Sequence, residues 1–143
     1  MKTLKIIFFA FFLSLSFTSF SQELKPLKTW KETVDTSKRE NKKIMLVITA
    51  SEWCKPCIKM KKKVFSDVNF INKVNEEYVL YILNYPNPII IDSPVFIESE
   101  RFVEKYKSNA LPSIFIVDSD ENLIKTIKKV TSLKKVMQQL EVL

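Results

Sequence analysis

The chain of 143 residues has no glycine, no histidine and only two cysteines. Without glycine, tight turns must rely on Asn, Asp, Ser and Pro, which tolerate or preset turn geometry at some cost. Without histidine there is no imidazole to bind a metal, and two thiols fall short of the roughly four ligands of a structural zinc site. No metal is therefore expected, and no organic cofactor is expected either. The first 21 residues also lack arginine, which argues against a mitochondrial targeting peptide.

What those residues do contain is "MKTLKIIFFAFFLSLSFTSFSQ": Lys2 and Lys5, an apolar run from Ile6 to Phe17, then Ser19 and Ser21 before Gln22. That pattern predicts a secretory signal peptide over residues 1–21. Its apolar run is shorter than the ~20 residues of a membrane span, so no stable span is expected after cleavage. No cysteine follows the expected cut, so a lipoprotein anchor is not indicated. The remainder, residues 22–143, is the right length for one domain with a real core. A secreted or periplasmic location permits disulfides and offers little nucleic acid to bind. The formal charge of +7, less Lys2 and Lys5, leaves +5. We read that excess as a solvated lysine surface, since Lys61, Lys62 and Lys63 lack the interleaved aromatics of a nucleic-acid groove.

Periodicity then divides the chain. "WKETVDTSKRE" from Trp30 places Trp30, Val34 and the Ser37 and Lys38 stems at helical spacing behind Thr29, a good N-cap. "KIMLVITA", Lys43 to Ala50, is a nearly continuous apolar run that suits a strand buried on both faces. After it, "CIKMKKKVF" puts Cys57, Met60 and Val64 on one helical face and lysines on the other. Ser66 or Asp67 caps a further helix with Val68, Ile71 and Val74 inward, and Tyr78 to Tyr85 is a second buried strand. Pro86, Pro88 and Pro94 exclude a central strand, so the 86–96 stretch reads as a loop or edge insertion. A short helix follows, with Phe102, Val103 and Tyr106 inward. "SIFIV" and the strand from Leu123 towards Lys129 form a hairpin around "DSDEN". Thr131 or Ser132 caps a last helix striped by Leu133, Val136, Met137 and Leu140. Helices alternating with buried strands predict an α/β fold, a central mixed β-sheet flanked by α-helices.

The two cysteines lie in "EWCKPC", between the first strand and the lysine-rich helix. A metal site lacks ligands, and a disulfide closing so short a loop would constrain the unfolded chain little. A redox pair fits better. Unpaired amides and aligned peptide dipoles at a helix start favour a thiolate at Cys54, and Lys55 adds a cation. Cys57, one turn in and facing the core, should ionise less readily. Pro56 is tolerated because first-turn amides have no intrahelical acceptor to lose.

"EWCKPC" before a lysine-rich helix, and "LPSIFIVD" much later, resemble the thioredoxin superfamily over about Trp30 to Leu143. They are most similar to exported bacterial thiol-disulfide oxidoreductases. The resemblance implies a thioredoxin fold, with Cys54 as nucleophile, Cys57 as resolving thiol and Trp53 as an aromatic shelf. It also implies a cis bond between Leu111 and Pro112, whose loop packs on the disulfide and pairs with a substrate strand. Implied partners are disulfide-containing or dithiol proteins and a membrane thiol electron donor. Two departures stand out. Ile48 occupies the position of the family's buried aspartate, leaving Glu52, read as exposed, as the nearest carboxylate; and Lys55-Pro56 replaces Gly-Pro. The retained proline leans towards a reductase. An oxidase or isomerase, or a non-catalytic binding module presenting the Pro86 to Phe96 loop, are the alternatives.

Overall fold

The computed structural model describes residues 22–143; the expected signal peptide, residues 1–21, lies outside them. Helix α1 (Trp30–Glu40) is capped by the Thr29 hydroxyl, which accepts from the Glu32 amide. It ends at Asn41 in the left-handed conformation. Strand β1 (Lys43–Thr49) leads to α2 (Lys55–Lys63), then α3 (Val68–Glu77), whose cap is Asp67, accepting from the Phe70 amide. Strand β2 (Tyr78–Asn84), α4 (Pro94–Lys105), β3 (Ser113–Val117), β4 (Leu123–Ile127) and α5 (Leu133–Leu140) complete the order.

The four strands form one mixed sheet in the order β2-β1-β3-β4. β1 runs parallel to β2 and antiparallel to β3, and β3 and β4 form the predicted hairpin. Because β1 lies in the centre, Ile44 to Ile48 are all fully buried, as a continuous apolar run requires. Alternate residues feed opposite faces. One core holds Ile44, Leu46, Ile48, Tyr81, Phe102, Tyr106 and Phe115, with Trp30 of α1 and Phe96 of α4 packed against it. The other holds Met45, Val47, Phe70, Val74, Ile114, Ile116, Val136 and Leu140, from the sheet and helices α2, α3 and α5.

Four local readings are corrected. Helix α4 starts at Pro94, inside the stretch read as loop: Ser93 caps it by accepting from the Phe96 amide, and proline suits the first turn. Val68 is 54% exposed and Phe70 takes its inward place, because Val68 starts α3 off the side of the helix that buries Phe70, Ile71 and Val74. The inward face of α2 is as expected, with Cys57, Met60 and Val64 all buried, the first in one core and the other two in the second. β4 ends at Ile127 rather than continuing towards Lys129. Finally, the left-handed positions are filled by Asn41 but also by Lys107, Glu121 and Lys129. Lysine and glutamate bear the steric cost there that glycine would avoid.

Candidate functional site

β1 ends at Thr49 and the chain turns immediately, with the Cys54 amide donating to the Ala50 carbonyl at 3.0 Å. Ser51 is held by Asn84 at the end of neighbouring β2, whose Oδ1 accepts from the Ser51 amide at 2.8 Å and from its hydroxyl at 3.1 Å. The turn is thus fixed to two strands before the helix begins. Cys54 is the N-cap residue of α2, Lys55 and Pro56 form its first turn, and Cys57 follows. The two cysteines are joined in a disulfide with Cα atoms 5.2 Å apart, within the ordinary span of such bridges.

Their surroundings differ sharply. Cys57 is fully buried in the first core beside Ile48 and Ala50, whereas Cys54 is only partly covered. An attacking thiol from outside therefore has access to one sulfur of the pair. The Leu111 carbonyl lies 3.8 Å from the Cys54 sulfur, across a separation of 57 residues. Leu111-Pro112 is a cis peptide bond, and Pro112 is buried directly ahead of β3. The loop leading to it is pinned by its serines: the Ser108 and Ser113 hydroxyls are 2.8 Å apart, and Ser113 donates to the Ala110 carbonyl. Trp53, 40% exposed, donates from Nε1 to the Pro86 carbonyl at 3.2 Å. Cys54, Cys57, Trp53, Leu111 and Pro112 are thus brought together, with Lys55 and Pro56 exposed on the first turn of the helix.

Ile48 is fully buried and Glu52 is exposed, so no carboxylate stands at the position of the family's aspartate. Among the described residues no cluster of three or more Cys, Asp or Glu side chains gathers with metal-binding geometry. The sequence reading missed the carboxylates of α4. Tyr81 donates its hydroxyl to Glu98, and Tyr85 donates to Glu100 at 2.8 Å. Burial, followed by these carboxylates, raises both phenols, Tyr85 to about 12. The alternating Glu98 and Glu100 were visible, but nothing local tied them to tyrosines on a strand.

Residues 30–141 match the thioredoxin-like domain family, and the chain belongs to it. The chain is 24% identical over 95 residues to the thioredoxin-related protein DsbJ of Chlamydia pneumoniae, covering 66% of this chain and 27% of that protein. It is 22% identical over 93 residues to the disulfide bond reductase DsbH of the same organism, covering 65% and 56%. The chain thus spans about a quarter and about half of these curated relatives. Among solved structures, a DsbH oxidoreductase superposes with a TM-score of 0.65 at 20% identity, covering 73% of this chain and 72% of the other. That likeness is one of fold: a mixed sheet flanked by helices, the thioredoxin fold.

Proposed function

We propose that the protein is a thiol-disulfide oxidoreductase that reduces protein disulfides through Cys54 and Cys57. The observation that carries this reading is the bonded pair at the start of α2, with Cys54 accessible beside the Leu111 carbonyl and Cys57 buried. In the reduced form, Cys54 thiolate attacks one sulfur of a substrate disulfide. A bond forms between Cys54 and the substrate, and the other substrate sulfur leaves as a thiolate that takes up a proton. Cys57 then gives up its proton to solvent or to the leaving thiolate and attacks Cys54. The second substrate thiol is released, and the Cys54–Cys57 disulfide remains. Two electrons have passed to the substrate. A dithiol donor returns the pair to the reduced state by the same exchange run in the opposite sense. With isoleucine at position 48, no buried carboxylate among the described residues stands to receive the Cys57 proton.

The name of the reductase relative supports the reducing direction, and the Lys55-Pro56 pair agrees with it. Export to the periplasm or beyond is part of the same proposal. It rests on the charged start, apolar run and serine-flanked cut of residues 1–21. Among the described residues no helix is long and apolar enough to cross a membrane.

Equilibration with dithiothreitol or glutathione buffers, followed by Trp53 fluorescence and an insulin-reduction assay, tests the reading. A potential near thioredoxin's, roughly −270 mV, with turnover supports the reductase, and one near roughly −120 mV supports an oxidant. Absence of turnover, with a Cys54 that alkylates no faster than an ordinary thiol, would leave a binding module.

A further inference from the structure

Beside the disulfide runs a groove of about 300 Å³, lined by Trp53, Ile89, Phe96, Glu100, Val103 and Leu111 among others. Two of its walls are continuous with the dithiol. Trp53 directly precedes Cys54, and Leu111 carries a carbonyl 3.8 Å from the Cys54 sulfur. Another wall is the segment between β2 and α4, held against Trp53 by the bond to the Pro86 carbonyl. The last is α4, whose Phe96 packs edge-on against Tyr85 with ring centroids 5.8 Å apart.

This segment breaks the usual rule for soluble surfaces. Ile89, Ile90 and Ile91 are 46%, 56% and 68% exposed, and Ile97 in the first turn and a half of α4 is 61% exposed. Apolar side chains exposed together beside polar residues mark a place of interaction. Glu100 is the charged side chain among the described residues lining the groove. Its carboxylate is held by the Tyr85 hydroxyl at 2.8 Å, and a carboxylate that accepts one such bond retains capacity for a cation.

We propose that the groove selects the substrate of the dithiol: an extended polypeptide with a bulky aliphatic or aromatic residue next to its cysteine, and a lysine or arginine close by. The inference rests on the oxidoreductase reading above. The apolar residue fills the groove between Trp53, Ile89 and Leu111, and the basic residue pairs with Glu100. The volume lies at the low end of the ~300–1,000 Å³ of ligand pockets, which suits one or two side chains of a longer chain. The exposed isoleucines beyond it extend the contact along that chain. A second copy of this protein fits less well, since a two-fold contact through the same patch would bring Glu100 towards its own counterpart.

The test uses the full chain and two synthetic peptides, each carrying one cysteine as a mixed disulfide with glutathione. One has phenylalanine before the cysteine and lysine after it; the other has serine and glutamate. With the protein kept reduced by excess dithiothreitol and the uncatalysed rate subtracted, release of glutathione gives kcat/KM for each peptide, and calorimetry with serine-for-cysteine analogues gives binding without chemistry. The first peptide should be preferred on the order of tenfold, with Ile89→Ser and Glu100→Gln each reducing that ratio several-fold. The Glu100→Gln change keeps an acceptor for the Tyr85 hydroxyl, and Ile89 is exposed, so neither change threatens the fold. Turnover of both peptides at equal kcat/KM, unmoved by the substitutions, overturns the groove and leaves the oxidoreductase standing. No turnover, but preferential binding of the first analogue lost in Ile89→Ser, upholds the groove and overturns the oxidoreductase. Neither turnover nor binding overturns both. A concentration-dependent dimer in sedimentation that Ile90→Ser dissociates overturns the peptide as occupant in favour of a second copy.

Discussion

On the sheet face that carries α1 and α4, the core is aromatic and tied by directional bonds. Trp30 meets Phe102 edge-on at 4.6 Å, Phe102 stacks on Tyr106 at 5.9 Å, and Arg101 lies 3.9 Å over the Phe102 ring. Tyr81 and Tyr85 donate to Glu98 and Glu100, the Tyr106 hydroxyl reaches the Glu121 carbonyl at 3.1 Å, and Trp30 donates to the Glu121 carboxylate. On the face that carries α2, α3 and α5, the core is largely aliphatic, with Phe70 stacked on Phe65. Dispersion and burial hold the second face; the first adds hydrogen bonds whose geometry fixes where α4 sits. Directional bonds are thus concentrated where position matters to the groove beside Cys54, of which α4 is a wall.

Extremes of pH should separate the faces most strongly. Tyr85 and Tyr106 are raised to about 12, mainly by burial, and Tyr81 is raised further in the same direction. On the second face Tyr78 is also raised to about 12 by burial. For an acid raised in the folded state, the unfolded chain loses its proton first, so stability is intact below pH 10 and falls as pH rises towards and through 12. Urea midpoints between pH 8 and 12 should fall steeply in the wild type. The fall should be reduced more by Tyr85→Phe combined with Tyr106→Phe than by Tyr78→Phe. In acid the sign reverses. Burial opposes ionisation of Glu121, but bonds from Lys105 and Trp30 and the charge of Arg101 outweigh it and hold its carboxyl below 4.5. Its contribution is present above pH 4.5 and is lost as pH falls through the depressed value. Glu121→Gln should flatten that acid limb.

Next in size come two of the buried phenylalanines, one from each face. Phe102→Ala and Phe70→Ala each empty a fully buried site and should cost about 3–5 kcal/mol. Phe102→Ala should exceed its counterpart by about 1 kcal/mol, because it removes ring contacts to both Trp30 and Tyr106 and the Arg101 cation over its face, where Phe70 loses one ring contact, to Phe65. Equal losses in urea denaturation would erase the contrast. Tyr85→Phe, which deletes the bond to Glu100 and keeps the ring, should cost about 1 kcal/mol by the same measurement. Last is Thr49, whose buried hydroxyl finds no partner among the described residues. It follows Met45 and Val47 along β1, and Thr49→Val should stabilise the fold by up to about 1 kcal/mol.

Much of this was legible beforehand, and the reasons are local. The central strand is a run of apolar residues, the caps Thr29 and Asp67 sit ahead of amphipathic segments, and the cysteines fall between a buried strand and a helix. The start of α4 was misread because three prolines outweighed a serine-proline start signal. Lys107 and Lys129 in left-handed positions were not legible at all. Nothing in a lysine announces that conformation, and the surrounding chain path imposes it.

Sequence alone determined which segments are strands and helices and that the thiols open a helix, because periodicity and capping act over a few residues. The surroundings of the Cys54 sulfur depend instead on the packing of distant segments. Leu111 lies 57 residues away and the Pro86 carbonyl meets Trp53 across 33, and such neighbours meet only once strand pairing sets their register. The groove belongs to that second kind of information: its walls come from three separate segments, and none of them forms it alone.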